Sequence, residues 1–84
     1  MKPHVIVYSR PGCHLCDEAK EVIKEVQKKF DLTLEEVNIQ DDLKLLEKYR
    51  FDIPVIMING VEEFRHRVKA LELAEALRRL GANE

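Results

Sequence analysis

Tyr8-Ser9-Arg10-Pro11-Gly12-Cys13-His14-Leu15-Cys16 carries the only two cysteines of the chain, three positions apart. The stretch follows a short β-branched run, Val5-Ile6-Val7, and opens a long segment of helical periodicity. Pro11 biases Arg10 away from helical angles, and Gly12 lets the backbone bend before Cys13. The cysteine pair therefore sits at a switch from strand to helix. A Cys-X-X-Cys at such a junction, beside a β-α-β pattern, reads as a redox dithiol.

Outward from this stretch the chain reads as alternating strands and helices. His4 to Tyr8 is a buried strand. From Cys13 to about Lys29, the apolar residues Leu15, Ala19, Val22, Ile23, Val26 and Phe30 recur every three or four positions, as on one face of a helix. Glu18, Lys20, Glu21, Lys24, Glu25 and Lys28 take the other face, with Glu25 and Lys29 set for an i,i+4 ion pair. Asp31 ends the helix, and Leu32 to Ile39 reads as a second strand. Its apolar residues change phase, because Leu32 and Leu34 share one parity and Val37 and Ile39 the other. A bulge or an edge position would account for that change.

Asp41 and Asp42 supply capping carboxylates for a helix running through Leu43, Leu46 and Tyr49. Phe51-Asp52-Ile53-Pro54 breaks it. Val55-Ile56-Met57-Ile58 is a third strand, Asn59-Gly60 signals a hairpin, and Val61 to Arg67 returns as a fourth strand, with Phe64, His66 and Val68 expected on one face. Ala70 to Leu80 is a last amphipathic helix, stopped by Gly81. The order β-α-β-α-β-β-α predicts an α/β fold. A right-handed crossover makes the first pair of strands parallel and the hairpin is antiparallel, so a four-stranded mixed sheet flanked by helices follows.

Composition narrows the function. Eighty-four residues, 45% hydrophobic and 36% charged, suit one folded domain over 1–84. Fourteen basic against sixteen acidic residues leave no basic footprint for nucleic acid, and five scattered aromatics make no stacking platform. No apolar run approaches a membrane span, and the segment after Met1-Lys2-Pro3-His4 is too brief for a secretory signal, so a cytoplasmic protein is expected. In that compartment a close cysteine pair points to catalysis or metal binding before a structural staple.

Disulfide exchange needs one accessible, thiolate-rich sulfur and a second within reach to resolve the mixed disulfide. Cys13, at the mouth of the helix, faces unpaired N–H groups and the positive end of the dipole. That setting can lower a cysteine pKa to roughly 3.5–7.5, and with Asp17 and Glu18 in the same turn a moderate activation is expected. Cys16 lies one turn in. Cys13 is thus the expected nucleophile and Cys16 the resolver. Arg10 adds positive charge; Asp17 and Glu18 oppose it while suiting the helix dipole. His14 is either a solvent-exposed spacer or, when protonated, a cation that tunes Cys13. Pro54 can terminate the preceding helix or form a cis bond that keeps the backbone of Ile53 free at a groove.

The stretch Tyr8 to Cys16, with Ile53-Pro54 ahead of the third strand, resembles the glutaredoxin-like branch of the thioredoxin superfamily, and the inferred element order matches its minimal fold along nearly the whole chain. The resemblance implies strand order 2-1-3-4, a cis Pro54, and a loop whose Ile53 offers backbone hydrogen bonds to substrate. It also implies that Arg10 is where a basic residue often contacts the glutathione carboxylate. Arg10, His14, Ile53 and Pro54 are accordingly the expected substrate-facing residues. The chain departs from glutaredoxins in carrying His14-Leu15 between the cysteines. It also reads Arg65-His66-Arg67-Val68-Lys69-Ala70 where they have Gly-Gly and Asp. Small redoxins reduced by thioredoxin reductase share the lead-in to Cys13. The expected activity is reduction of protein or small-molecule disulfides by a monomer with no bound cofactor and no metal, the electrons coming from glutathione or a thioredoxin-reductase-type donor.

Two rival readings remain at this point. Cys13, His14 and Cys16 are soft ligands, and a dimer could pool two pairs around zinc or an iron–sulfur cluster, although His4 and His66 bring no supporting spacing. Alternatively, the fold could serve as a non-catalytic docking module, with Arg65, His66, Arg67 and Lys69 receiving an acidic partner.

Overall fold

A computed structural model describes residues 2–82. One sheet runs in the order β2-β1-β3-β4, with β1 His4–Ser9, β2 Thr33–Asn38, β3 Val55–Ile58 and β4 Val61–Arg65. β1 and β2 are parallel, β1 and β3 antiparallel, and β3 and β4 form the antiparallel hairpin. The helices are α1 His14–Gln27, α2 Leu43–Tyr49 and α3 Ala70–Arg79. A 3-10 turn, Ile39–Asp41, absent from the sequence reading, joins β2 to α2.

Alternate residues of each strand serve opposite faces. Val5 and Val7 of β1 and Ile56 and Ile58 of β3 meet α1 and α3 in an apolar core with Ile23, Val26, Phe30, Leu73 and Leu77. Tyr8, Val55 and Met57 point the other way, into a smaller cluster with Cys16, Ile39, Tyr49 and Ile53. The phase change in β2 follows from this two-sided burial. Leu32 and Leu34 belong to the first cluster and Ile39, past the strand end, to the second. β2 is an edge strand in unbroken register with β1, from His4 opposite Thr33 to Ser9 opposite Asn38, so the alternative of a bulge there is set aside. The bulge lies in β4, where Ile56 pairs with Phe64 and Met57 with Glu62, leaving Glu63 extra.

Element ends differ from expectation for local reasons. α1 stops at Gln27 rather than Lys29, with Lys28 and Lys29 in a turn and the Phe30 N–H donating to the Val26 carbonyl. Glu25 therefore pairs with Lys28, at 3.1 Å, in place of Lys29. Of the two aspartates, Asp42 caps α2, its carboxylate accepting from the Lys44 N–H, and Asp41 lies in the 3-10 turn. β4 ends at Arg65, two residues early, because the Arg67 N–H turns back to the Arg65 carbonyl at 2.7 Å.

The hairpin is as its sequence implies. Asn59 and Gly60 both have positive φ, 51° and 83°, the backbone of a two-residue turn matched to strand twist. The Asn59 side chain also accepts from the His4 N–H at 2.9 Å. At the end of α3, Ala82 N–H bonds the Leu77 carbonyl and Gly81 N–H the Arg78 carbonyl. That pair satisfies carbonyls left open by the helix end, and Ala82 joins Leu77 in the core.

Candidate functional site

The site forms where β1 and β2 end. Cys13 has extended backbone (φ −93°, ψ 107°) and stands at the N-cap of α1, so the helix begins at His14. Its sulfur accepts the Cys16 N–H at 3.2 Å. A sulfur thus does the work an oxygen usually does at this position, satisfying one of the open N–H groups of the first turn. Cys13 and Cys16 are joined in a disulfide, their Cα atoms 5.2 Å apart, within the ordinary range for such a bond.

The two sulfurs differ in surroundings. Cys16 is fully buried, among Ile39, Tyr49, Ile53 and Val55; Cys13 is half-buried at the edge of the same cluster. The rings of Tyr8 and Tyr49 stack beside it with centroids 5.1 Å apart and planes at 19°. Ile53 is 8% exposed and Pro54 fully buried, and the bond between them is cis. The structure therefore gathers Cys13, Cys16, Ile53 and Pro54 at one end of the sheet. Arg10 and His14 flank them differently. Both are exposed, and neither makes an ion pair with another described residue. Arg10 lines a cavity of about 350 Å³ on the α1 side of the loop, with Gly12, Asp17, Lys20, Glu36 and Asp41.

A polar network that no sequence spacing announces lies beneath that loop. Ser9, 3% exposed, donates its hydroxyl to the Glu36 carboxylate at 3.1 Å, and the Lys20 ammonium bonds the same oxygen while lying 3.4 Å from Asp17. The Lys20 hydrogen bond, with help from Ser9, holds the Glu36 carboxyl below its ordinary value, and Glu36 in turn raises Lys20. Lys20 lies one turn beyond Cys16, and Glu36 is opposite Val7 in the parallel register. The helical spacing was legible, but the pairing of β2 with β1 was needed to bring Glu36 under it.

A second charged group borders the Ile53-Pro54 loop. Asp52 lies 3.2 Å from the Arg65 guanidinium and 3.6 Å from the His66 ring. Leu15 and Val22 of α1 and His66 and Val68 of the β4–α3 connection line a neighbouring groove of about 310 Å³. Among the described residues no three His, Cys, Asp or Glu side chains converge as a metal site. No helix among them is long and apolar enough to cross a membrane.

A four-stranded mixed sheet of this order, with a Cys-X-X-Cys at the mouth of its first helix, defines a thioredoxin-fold protein with a redox-type cysteine pair, and thioredoxins of known structure share the fold. Residues 4–78 match the Glutaredoxin-like domain, and the chain belongs to that family. It is 37% identical over 67 residues to a glutaredoxin-like protein of Dictyostelium discoideum, covering 73% of this chain and 62% of that protein. Against the "Probable Thioredoxin" of Methanothermobacter thermautotrophicus it is 34% identical over 80 residues, 92% of this chain and 94% of the relative. The solution structure of protein Ne2328 from Nitrosomonas europaea is 27% identical, with a TM-score of 0.79 over 90% of this chain and 92% of its own.

Proposed function

We propose that the protein is a thiol–disulfide oxidoreductase acting through a Cys13/Cys16 dithiol–disulfide couple. The observation that carries this reading is the asymmetry of the pair. A partly buried Cys13 sits at a helix N-cap with its sulfur accepting a main-chain N–H, while its partner Cys16 is wholly buried. The N–H and helix dipole that meet Cys13 favour a negative sulfur there, and burial keeps Cys16 from competing for external disulfides.

In the reduced protein, the Cys13 thiolate attacks one sulfur of a substrate disulfide. A Cys13–substrate bond forms and the first substrate sulfur leaves as a thiolate that takes up a proton. The Cys16 thiol then gives up its proton and attacks Cys13. The second substrate thiol departs and the Cys13–Cys16 bond forms, so the substrate gains two electrons and two protons. Ile53, packed against the cysteines, supplies main-chain groups to an extended substrate, and Arg10 and His14 meet its charged groups. The chain lacks the Gly-Gly and Asp that glutaredoxins use on glutathione, which favours a disulfide-bearing protein as substrate. A thiol or dithiol donor of the glutathione or thioredoxin-reductase type returns the electrons.

The test is equilibration of the protein in glutathione redox buffers, with mass spectrometry after thiol trapping. A reversible loss of two hydrogens is expected, with a midpoint roughly between −120 and −270 mV. Cys13→Ser should abolish exchange, and Cys16→Ser should accumulate mixed disulfides on Cys13. Full disulfide-reductase activity in Cys13→Ser would overturn the assignment.

A further inference from the structure

We propose that His66 is a positioning residue for exchange with peptide-borne disulfides, holding the Asp52-Ile53-Pro54 segment from both sides of Ile53. This rests on the redox reading above. The main-chain N–H of His66 donates to the Pro54 carbonyl at 2.8 Å, and its ring Nε2 lies 3.6 Å from Asp52 Oδ1. One residue thus touches both neighbours of the residue whose backbone meets an extended substrate. Asp52 is fixed further by its own N–H, which donates to the Tyr49 carbonyl at 2.8 Å, and by the Arg65 guanidinium at 3.2 Å.

The backbone of His66 carries an independent sign. Its φ is +65°, and the Arg67 N–H closes a three-residue turn across it onto the Arg65 carbonyl at 2.7 Å. This left-handed turn is strained for a side chain larger than glycine's. Glycine would take the same φ without cost and keep the N–H to Pro54, so the fold alone does not require an imidazole here. What glycine would lose is the hold on Asp52, an attraction present when the ring carries its second proton. Strain kept at a position beside a reactive site points to a role for the side chain.

The test compares two probes with the pre-reduced protein by stopped flow. One is a ten-residue peptide closed by an internal disulfide, which runs along the Ile53 backbone; the other is bis(2-hydroxyethyl) disulfide, which is too small to do so. In His66→Gly the ratio of peptide to small-disulfide rate constants should fall about twofold to fivefold, the range set by losing one partly exposed ion pair. The variant should unfold at the same or higher urea concentration than the wild type. His66→Asn, which tolerates positive φ but whose neutral amide stops short of the place of Nε2, should lower the ratio as His66→Gly does, and a wild-type ratio in that variant would overturn the proposal. Asp52→Asn should lower it, and adding His66→Gly to that change should have little further effect, since the two act through one contact. An unchanged ratio in His66→Gly, or equal slowing on both probes, overturns the proposal. Reduction of both probes by Cys13→Ser would overturn the redox reading and this proposal together, whereas an inert Cys13→Ser with an unchanged His66→Gly ratio overturns the positioning role alone.

Discussion

Beneath α1 and α3 the sheet meets Ile23, Val26, Phe30, Leu73 and Leu77, a hydrocarbon layer that contains no sulfur among the described residues. Beneath α2 it meets a smaller group with a different chemistry: the Cys16 sulfur, two stacked tyrosines, Ile53 and Val55. The first layer buries large aliphatic side chains between two helices and the strands; the second surrounds the buried sulfur of the proposed redox pair. On the proposed function, stability and reactivity fall on opposite faces of one four-stranded sheet, and substitutions on each face should separate the two.

The largest separation is expected from Leu77→Ala. Leu77 is fully buried in the hydrocarbon layer, and truncating such a residue costs about 2–5 kcal/mol by lost burial and the cavity left behind. For a chain of this size that lowers the melting temperature by more than about 10 °C. The position of the Cys13–Cys16 equilibrium in thiol buffers, measured well below the transition, should stay where it is. A displaced equilibrium would mean that the two faces are coupled through the sheet.

Tyr49→Leu should behave in the opposite sense. Tyr49 is 4% exposed and its ring lies on Tyr8. The aromatic pair contributes roughly 0.5–1.5 kcal/mol beyond the area buried, and leucine recovers part of that area, so the stability loss should be smaller than for Leu77→Ala. Opening the packing beside Cys16 admits water to the buried sulfur, and the thiol–disulfide equilibrium should move in the same trapping experiment. If Tyr49→Leu left that equilibrium in place while Leu77→Ala shifted it, the division between the faces would be reversed.

The same contrast shows what sequence reading reaches. The hydrocarbon face is periodic: spacings of three and four along α1 and α3, and a β-branched run in β1, place its residues without reference to any partner. The cysteine pair and Asn59-Gly60 are local signals too, because a sulfur at a helix mouth and a two-residue turn are decided within a few positions. The polar features were invisible for the converse reason. Lys20 meets Glu36 only because β2 lies parallel to β1 with Val7 opposite Glu36. Asp52 meets His66 only because the β4–α3 connection folds onto the loop before β3. Such partners are 14 to 16 positions apart or joined through a third strand, and no periodicity announces them. The shift at Glu63 belongs to the same class, since a bulge is a relation between two strands and not a property of one.

The smallest effect, and the most sensitive to conditions, is expected from Glu36→Gln. Glu36 is about half exposed, at 48%, and Lys20 is 27% exposed, so solvent screens their pair and the loss should be no more than about 1 kcal/mol at neutral pH. Its pH profile is the informative part. The folded carboxyl titrates below its ordinary value of 4.5 because Lys20 and Ser9 hydrogen-bond the charged form. Its contribution is therefore complete above pH 4.5 and disappears as the pH falls through the lowered folded value. Lys20 is raised above 10.5 chiefly by the Glu36 hydrogen bond. Its share is complete below that pH and disappears as the pH rises through the raised value. Urea unfolding of wild type and Glu36→Gln should thus differ by a constant amount from about pH 5 to 10 and converge at both extremes. Added salt should shrink the plateau, because part of the pair faces water. A difference that persisted once the folded carboxyl is protonated would assign the loss to the neutral contacts of the side chain. The network under the Cys13 loop would then be a hydrogen-bonded prop in place of a charge pair.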